Sequence, residues 1–229
     1  MQQHLGFVGL GQMGGAMSRN LVAAGHAVHV YDIDPAAVAA VVDVGAVAAD
    51  SLAAAARGAD VVFTMLPIGA IVEAACFAPN GIAEGIAPGA TLVDMSTILP
   101  AETRRIGARL ARQGVAMVDA PVGRTSAHAV TATLTFMVGG EAADVARVRP
   151  LLLAMGEHVT LCGPLGAGAT MKLVNNGVSA VINLATAEGL IRPDVPEDMF
   201  AHRYIGEIDN QIGALGQRHE KTITVGRRE

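Results

Sequence analysis

The sequence predicts an α/β protein built on a doubly wound, mostly parallel sheet, followed by one long helix and a tail of different character. Three observations predict it. Short apolar runs alternate with helix-length, Ala-rich segments. A glycine-rich turn, Gly9-Leu10-Gly11-Gln12-Met13-Gly14, joins the first apolar run to the first helical segment. The chain is 52% hydrophobic, with 27 glycines and only 3% aromatics. That balance suits close helix–sheet packing better than a β-sandwich.

Strands are expected at Leu5–Gly9, Ala27–Asp32, Asp60–Leu66, Thr91–Asp94, Ala116–Asp119, Thr135–Val138 and Val159–Leu161. Helices are expected at Met13–Ala24, Pro35–Val42, Ser51–Arg57, Ala70–Cys76, Pro100–Gln113 and Ala142–Met155. Pro35 and Pro100 fall where a first helical turn tolerates proline. Gly25, Gly58 and Gly114 fall where helices end. From Gly166 to about Leu190 the pattern becomes one long helix. Val174, Val178, Val181 and Ala185 would form its apolar face, and Lys172, Asn176, Ser179 and Asn183 a polar stripe that must border a cleft or find partners.

Composition shifts after residue 190. Residues 191–229 hold 13 charged residues, against 24 in the preceding 190. Pro193 and Pro196 should stop the long helix near Ile191, and a poorly packed, disordered tail is expected beyond it. The expected organisation is a nucleotide-binding domain over 1–163, an interdomain helix over 164–191 and a divergent tail over 192–229. A net charge of −5 without a basic run argues against nucleic acid as a partner. No apolar run is long and Gly-free enough for a membrane span, and the N-terminus has no basic segment of the secretory kind. Cys76 and Cys162 stand in no metal or redox spacing. Together these features predict a soluble cytoplasmic protein without a metal.

The glycine turn has a Rossmann-type context on both sides. Gly9 would permit the tight turn, Gly11 would let a pyrophosphate approach the backbone, and Gly14 would let helix and strand pack closely. The helix start at Gln12 and Met13 would offer free N–H groups to the phosphates. Asp32 ends the second strand 23 residues after Gly9. A carboxylate there can accept from both ribose hydroxyls and would repel a 2′-phosphate, so NAD(H) is expected rather than NADP(H). Leu66 with Pro67, and Ser96 with Thr97, fall at strand ends on the carboxyl edge, where such folds bind ligands. Leu66 and Pro67 fit a plain strand-end turn equally well, and Ser96 and Thr97 fit a helix cap ahead of Pro100.

The stretches FVGLGQMGGAM, FTMLP, LVDMSTI, VDAPVG and KLVNN, in this order and spacing, resemble the 3-hydroxyisobutyrate dehydrogenase (β-hydroxyacid dehydrogenase) family from the N-terminus to about Gly189. The resemblance implies an NAD-dependent oxidoreductase acting on a small anionic alcohol or aldehyde. It makes Lys172 the catalytic acid or base and places Asn175, Asn176 and Gly177 near the substrate. Where most relatives have a DAPVSGG-like loop, this chain has VGRTSA, which resembles the loop of 3-sulfolactaldehyde reductases, enzymes of sulfoquinovose breakdown. Gly123 would then give the ligand access to the backbone, and Arg124 and Thr125 would hold its sulfonate. By residue type alone, Arg124 is more often a solvated loop charge, and Lys172 is less often a helix lysine reaching for solvent.

Alternatives follow from the same residues. One is action on a carboxylate such as 3-hydroxyisobutyrate, L-threonate or tartronate semialdehyde. Another is an NAD-binding module without turnover, because the family's all-helical domain does not follow Leu190. With that domain missing, dimerisation through exposed apolar surface is a further expectation.

Overall fold

The computed structural model describes the backbone of residues 2–191 and the side chains of residues 2–187. The chain order is β1 (His4–Val8), α1 (Gly14–Ala23), β2 (Ala27–Tyr31), α2 (Pro35–Val42), β3 (Val47–Ala48), α3 (Leu52–Ala56), β4 (Val61–Thr64), α4 (Gly69–Phe77), α5 (Ile82–Gly85) and β5 (Thr91–Asp94). It continues with α6 (Pro100–Ala111), β6 (Ala116–Asp119), β7 (Val122–Gly123), α7 (Ser126–Val130), β8 (Leu134–Gly139), α8 (Ala142–Met155), β9 (Gly156–Gly163) and α9 (Ala167–Ile191).

Among the described residues nine strands form one sheet, ordered β3-β2-β1-β4-β5-β6-β8-β7, with β9 paired to β8. β1 to β6 pair in parallel, while β8 runs antiparallel to β6 and β7. The expected mostly parallel, doubly wound sheet is therefore present, and its order reverses beside β1, the point where such folds bind dinucleotides. Successive strand residues feed opposite cores. Phe7, Phe63 and Val93 belong to one cluster, and Val8, Val62 and Leu92 to the other. A sheet apolar on both faces needs helices on both, which is why its strands are continuous apolar runs.

Local signals act as expected. Asp34 caps α2 by accepting from the Ala36 amide at 2.9 Å, with Pro35 behind it. Gly25, Gly58 and Gly114 follow helices with φ of 88°, 72° and 72°, which an L side chain resists. β3, β7, α5 and α7 are additions to the expected elements. Each spans two to five residues, too few to show a period. β9 begins earlier than expected because Glu157 and His158 are exposed polar residues in it.

Two compact units divide the chain, Met1–Leu173 and Val174–Glu229. The first holds the sheet and the opening of α9 with Lys172. In the second, Val174, Val178 and Val181 are exposed, by 56%, 43% and 67%, so the expected apolar face is present but uncovered among the described residues. The helix reaches Ile191, and the expectation of a disordered tail over 192–229 lies outside the described residues. Among the described residues no helix is long and apolar enough to cross a membrane.

Candidate active site

The site is organised by register. Tyr31, Val8, Thr64, Asp94 and Asp119 lie in one row across β2, β1, β4, β5 and β6. At a strand spacing of about 4.8 Å this row spans roughly 19 Å. The expected ligand residues Gly9, Asp32, Leu66 and Ser96 follow just beyond it, at the carboxyl edge.

The three glycines have the separate reasons the motif requires. Gly9 has φ of 91°, and a Cβ there would strike the Met65 carbonyl oxygen. A Cβ on Gly14 would strike the Gly9 carbonyl oxygen, so α1 packs directly on the turn. Gly11 has nothing within 4 Å of its would-be Cβ, which leaves open space where a pyrophosphate would approach. Gln12 is exposed at the start of the helix, and half-buried Met13 packs against the core.

Asp32 does more than face a ribose. Its Oδ2 accepts from the Leu10 amide at 2.6 Å and its Oδ1 from the Asp34 amide at 2.9 Å. The carboxylate thus braces the glycine turn, and it keeps acceptor capacity for hydroxyls because a carboxylate offers about four lone-pair sites. An open cradle beside a braced, half-buried carboxylate fits a dinucleotide.

Leu66 is half-buried, and Pro67 and Thr97 are exposed. Ser96 does not cap the following helix. That end is closed by Glu102, whose Oε2 accepts from the Leu99 amide at 3.0 Å. Instead the buried Ser96 hydroxyl accepts from the Leu66 amide at 2.9 Å, tying the two expected contact loops together. Beneath it, Asp94 Oδ1 accepts from the Thr64 hydroxyl at 2.8 Å and from the Ser96 amide at 3.2 Å. Burial pushes the Asp94 carboxyl up to about 6, against the pull of its bonds to Ser96 and Thr64. Among the described residues its Oδ2 has no partner.

Asp119 is the anchor that sequence reasoning missed. It is 1% exposed, and its two oxygens accept from the Gly166 and Ala169 amides, each at 2.7 Å. These are free donors at the N-terminus of α9, where a carboxylate also meets the positive end of the helix dipole. A Cβ on Gly139 would strike Asp119 and the α9 backbone, and one on Gly168 would strike the Met137 carbonyl oxygen and Asp119. The signal was available as Asp in VDAPVG followed by the Gly-rich Gly163–Gly168 segment, but the sequence separation of 47 between Asp119 and Gly166 hides the pairing.

Lys172 lies one turn after Gly168, on the helix face that meets the ends of β6 and β8. It is half-buried, and burial lowers its ammonium pKa from the ordinary 10.5. Burial is the cause of that lowering, and Arg124 adds nothing to it. The Arg124 Nη1 instead donates to the Thr133 carbonyl at 2.7 Å and to Glu157 Oε2 at 3.1 Å. Gly123 lies in β7, and a Cβ there would strike the Thr135 hydroxyl, so a packing reason for this glycine stands beside the expected ligand access. The Thr125 hydroxyl is 2.9 Å from His128 Nδ1. Asn175, Asn176 and Gly177 belong to the second unit, where Asn175 is half-buried and the other two are exposed. Both thiols are pushed up by burial, Cys76 to about 12 and Cys162 to about 11, so they stay protonated and unreactive.

An open cleft lined by His26, Asp60, Gly89 and Arg147 lies at the opposite, amino edge of the sheet, away from the glycine turn, Asp32 and Lys172.

Residues 4–163 match the family model of the NAD binding domain of 6-phosphogluconate dehydrogenase. The chain is 43% identical over 187 residues to a 3-sulfolactaldehyde reductase of Escherichia coli (strain K12), covering 82% of this chain and 63% of that one. It is also 43% identical over 188 residues to an NAD-dependent L-serine dehydrogenase of Pseudomonas aeruginosa, with the same coverage of 82% and 63%. Among solved structures, a Mycobacterium tuberculosis 3-hydroxyisobutyrate dehydrogenase with L-serine superposes with a TM-score of 0.79 at 39% identity, covering 82% of this chain and 64% of that one. The chain thus spans 63% of the length of these two relatives.

Proposed function

The chain belongs to the 3-hydroxyisobutyrate dehydrogenase family and carries that family's NAD-binding domain, and on this premise we propose that it reduces 3-sulfolactaldehyde to 2,3-dihydroxypropane-1-sulfonate, reversibly. The carrying observation is Arg124 in the loop VGRTSA, a guanidinium where most of the family is expected to have glycine.

The roles follow from what the residues can do. Gly9, Gly11 and Gly14 leave the backbone open to a pyrophosphate, with Gln12 and Met13 at the helix start. Asp32 accepts from the ribose hydroxyls and repels a 2′-phosphate. Leu66, Pro67, Ser96 and Thr97 border the nicotinamide half, held in mutual register by the Ser96–Leu66 bond. Bound NADH supplies the hydride. As negative charge grows on the substrate oxygen, the Lys172 ammonium stabilises it and delivers the proton. In the reverse direction the neutral amine takes the proton from the alcohol, and burial favours that form. The Arg124 Nε and Nη2 edge forms a fork for two sulfonate oxygens, with Thr125 and Gly123 beside it; the family resemblance adds Asn175, Asn176 and Gly177 as substrate-binding residues.

A carboxylate substrate is the second reading, favoured by the equal identity to an L-serine dehydrogenase. The deciding experiment compares kcat/KM of the chain for sulfolactaldehyde and tartronate semialdehyde with NADH. Preference for the sulfonate is expected, and preference for the carboxylate overturns it. NADH binding without turnover of either would select the module without catalysis.

A further inference from the structure

We infer that Glu157 tunes the charge of the substrate's headgroup, making the Arg124 loop favour a monoanion over a dianion. The inference rests on the reading of Arg124 as the anion-binding residue.

The loop is built at a conformational cost. Among the described residues the non-glycine positions with positive φ are Asn80, Arg124 and Ala132, at 60°, 74° and 54°. Two of these flank the segment that holds α7. Such conformations persist where the surroundings over-determine them, and they cluster at functional sites. The surroundings here are the Arg124 contacts. Nη1 carries two hydrogens; one goes to the Thr133 carbonyl and the other to Glu157 Oε2. Stability does not explain the pair, because its side chains are 36% and 46% exposed and exposed pairs contribute little.

What the pair does is orient and count. With Nη1 committed, the guanidinium cannot rotate freely, and Nε and Nη2 remain as a fork. Among the described residues neither has a partner. An anion on that fork shares the single guanidinium charge with Glu157. A carboxylate or sulfonate brings one negative charge. An alkyl phosphate, with a second pKa near 6, brings about two at pH 8, so that with Glu157 three negative charges would surround one guanidinium.

The test measures binding of methanesulfonate and methyl phosphate to the full chain with NAD at pH 8, by calorimetric titration at low salt. E157Q keeps an oxygen acceptor for Nη1 and removes only the charge. Methanesulfonate is expected to bind wild type more tightly than methyl phosphate. E157Q should shift this ratio toward the phosphate by roughly fivefold to tenfold, the scale of one unit charge at short, solvent-exposed range. The shift should shrink with added salt. A purely structural role for Glu157 would change both affinities alike and leave the ratio unmoved, which overturns the inference while R124A still abolishes methanesulfonate binding. If R124A binds methanesulfonate as wild type does, or wild type binds neither anion, the reading of Arg124 itself fails and the inference falls with it.

Discussion

Replacing Asp119 with alanine removes the acceptor for two buried amides, and the structure sets the size of the effect. The Gly166 and Ala169 N–H groups each lose a 2.7 Å bond to an ionisable carboxyl group. A buried donor left without a partner costs about 1–3 kcal/mol, so the pair amounts to roughly 2–6 kcal/mol. Burial of the carboxylate works against this, since it pushes the Asp119 pKa above its ordinary 3.8. The net loss should therefore fall in the lower half, about 2–4 kcal/mol, a large share of a typical stability of roughly 5–15 kcal/mol. D119N keeps one acceptor and turns an amide donor toward the second N–H, so about 1–3 kcal/mol is expected. Urea unfolding gives the magnitude, and hydrogen exchange gives the location. Amides of residues 166–172 should exchange faster in D119N, with those of β1 and β2 unchanged. A loss under about 0.5 kcal/mol in D119A, or unchanged exchange at 166–172, would refute the view that this carboxylate anchors the lysine-bearing helix.

Other expectations follow from the same geometry. Lys172→Ala should lower turnover by about 10²–10⁴-fold while NADH affinity, followed by fluorescence titration, stays near wild type; near-normal turnover would remove the lysine from the mechanism. Because burial lowers the Lys172 pKa, kcat/KM for reduction should fall, and that for oxidation rise, as pH passes through a value below 10.5. Asp32→Ala should move the NAD to NADP affinity ratio toward NADP by about 10–100-fold, since like charges in contact cost several kcal/mol; an unchanged ratio would mean that Asp32 only braces the Leu10 turn. Asp94 has a folded pKa of about 6 against 3.8, so the folded state holds the extra proton and stability falls as pH rises between those values. Two pH units at 1.36 kcal/mol each give about 2–3 kcal/mol, so D94N should gain that much on wild type between pH 4 and pH 7. A difference independent of pH would show that Asp94 is not strained by burial.

Much of this protein was legible in the chain itself because its signals are local. The apolar runs at Thr91–Asp94 and Ala116–Asp119 match the observed strands residue for residue, and Pro35–Val42 and Ala142–Met155 match the observed helices. The roles of Gly9, Gly11 and Gly14 depend on a turn six residues long, and the space around each accords with them. Asp32 needed only a strand end and a distance from the turn. Tertiary structure decided what lies across the sheet. Only register brings Thr64, Asp94 and Asp119 into one row, and only the fold brings Asp119 to the amides of Gly166 and Ala169. Ser96 offered a helix cap or a ligand contact from its neighbours, and the strand pairing gave its hydroxyl to Leu66. Arg124 had a type and a charge in the sequence, but its partner Glu157 is 33 residues away, on β9. The physical reason is the same in each case. Backbone propensity and turn chemistry act over a few residues, whereas a buried polar group is satisfied by whatever the folded chain brings within 3 Å.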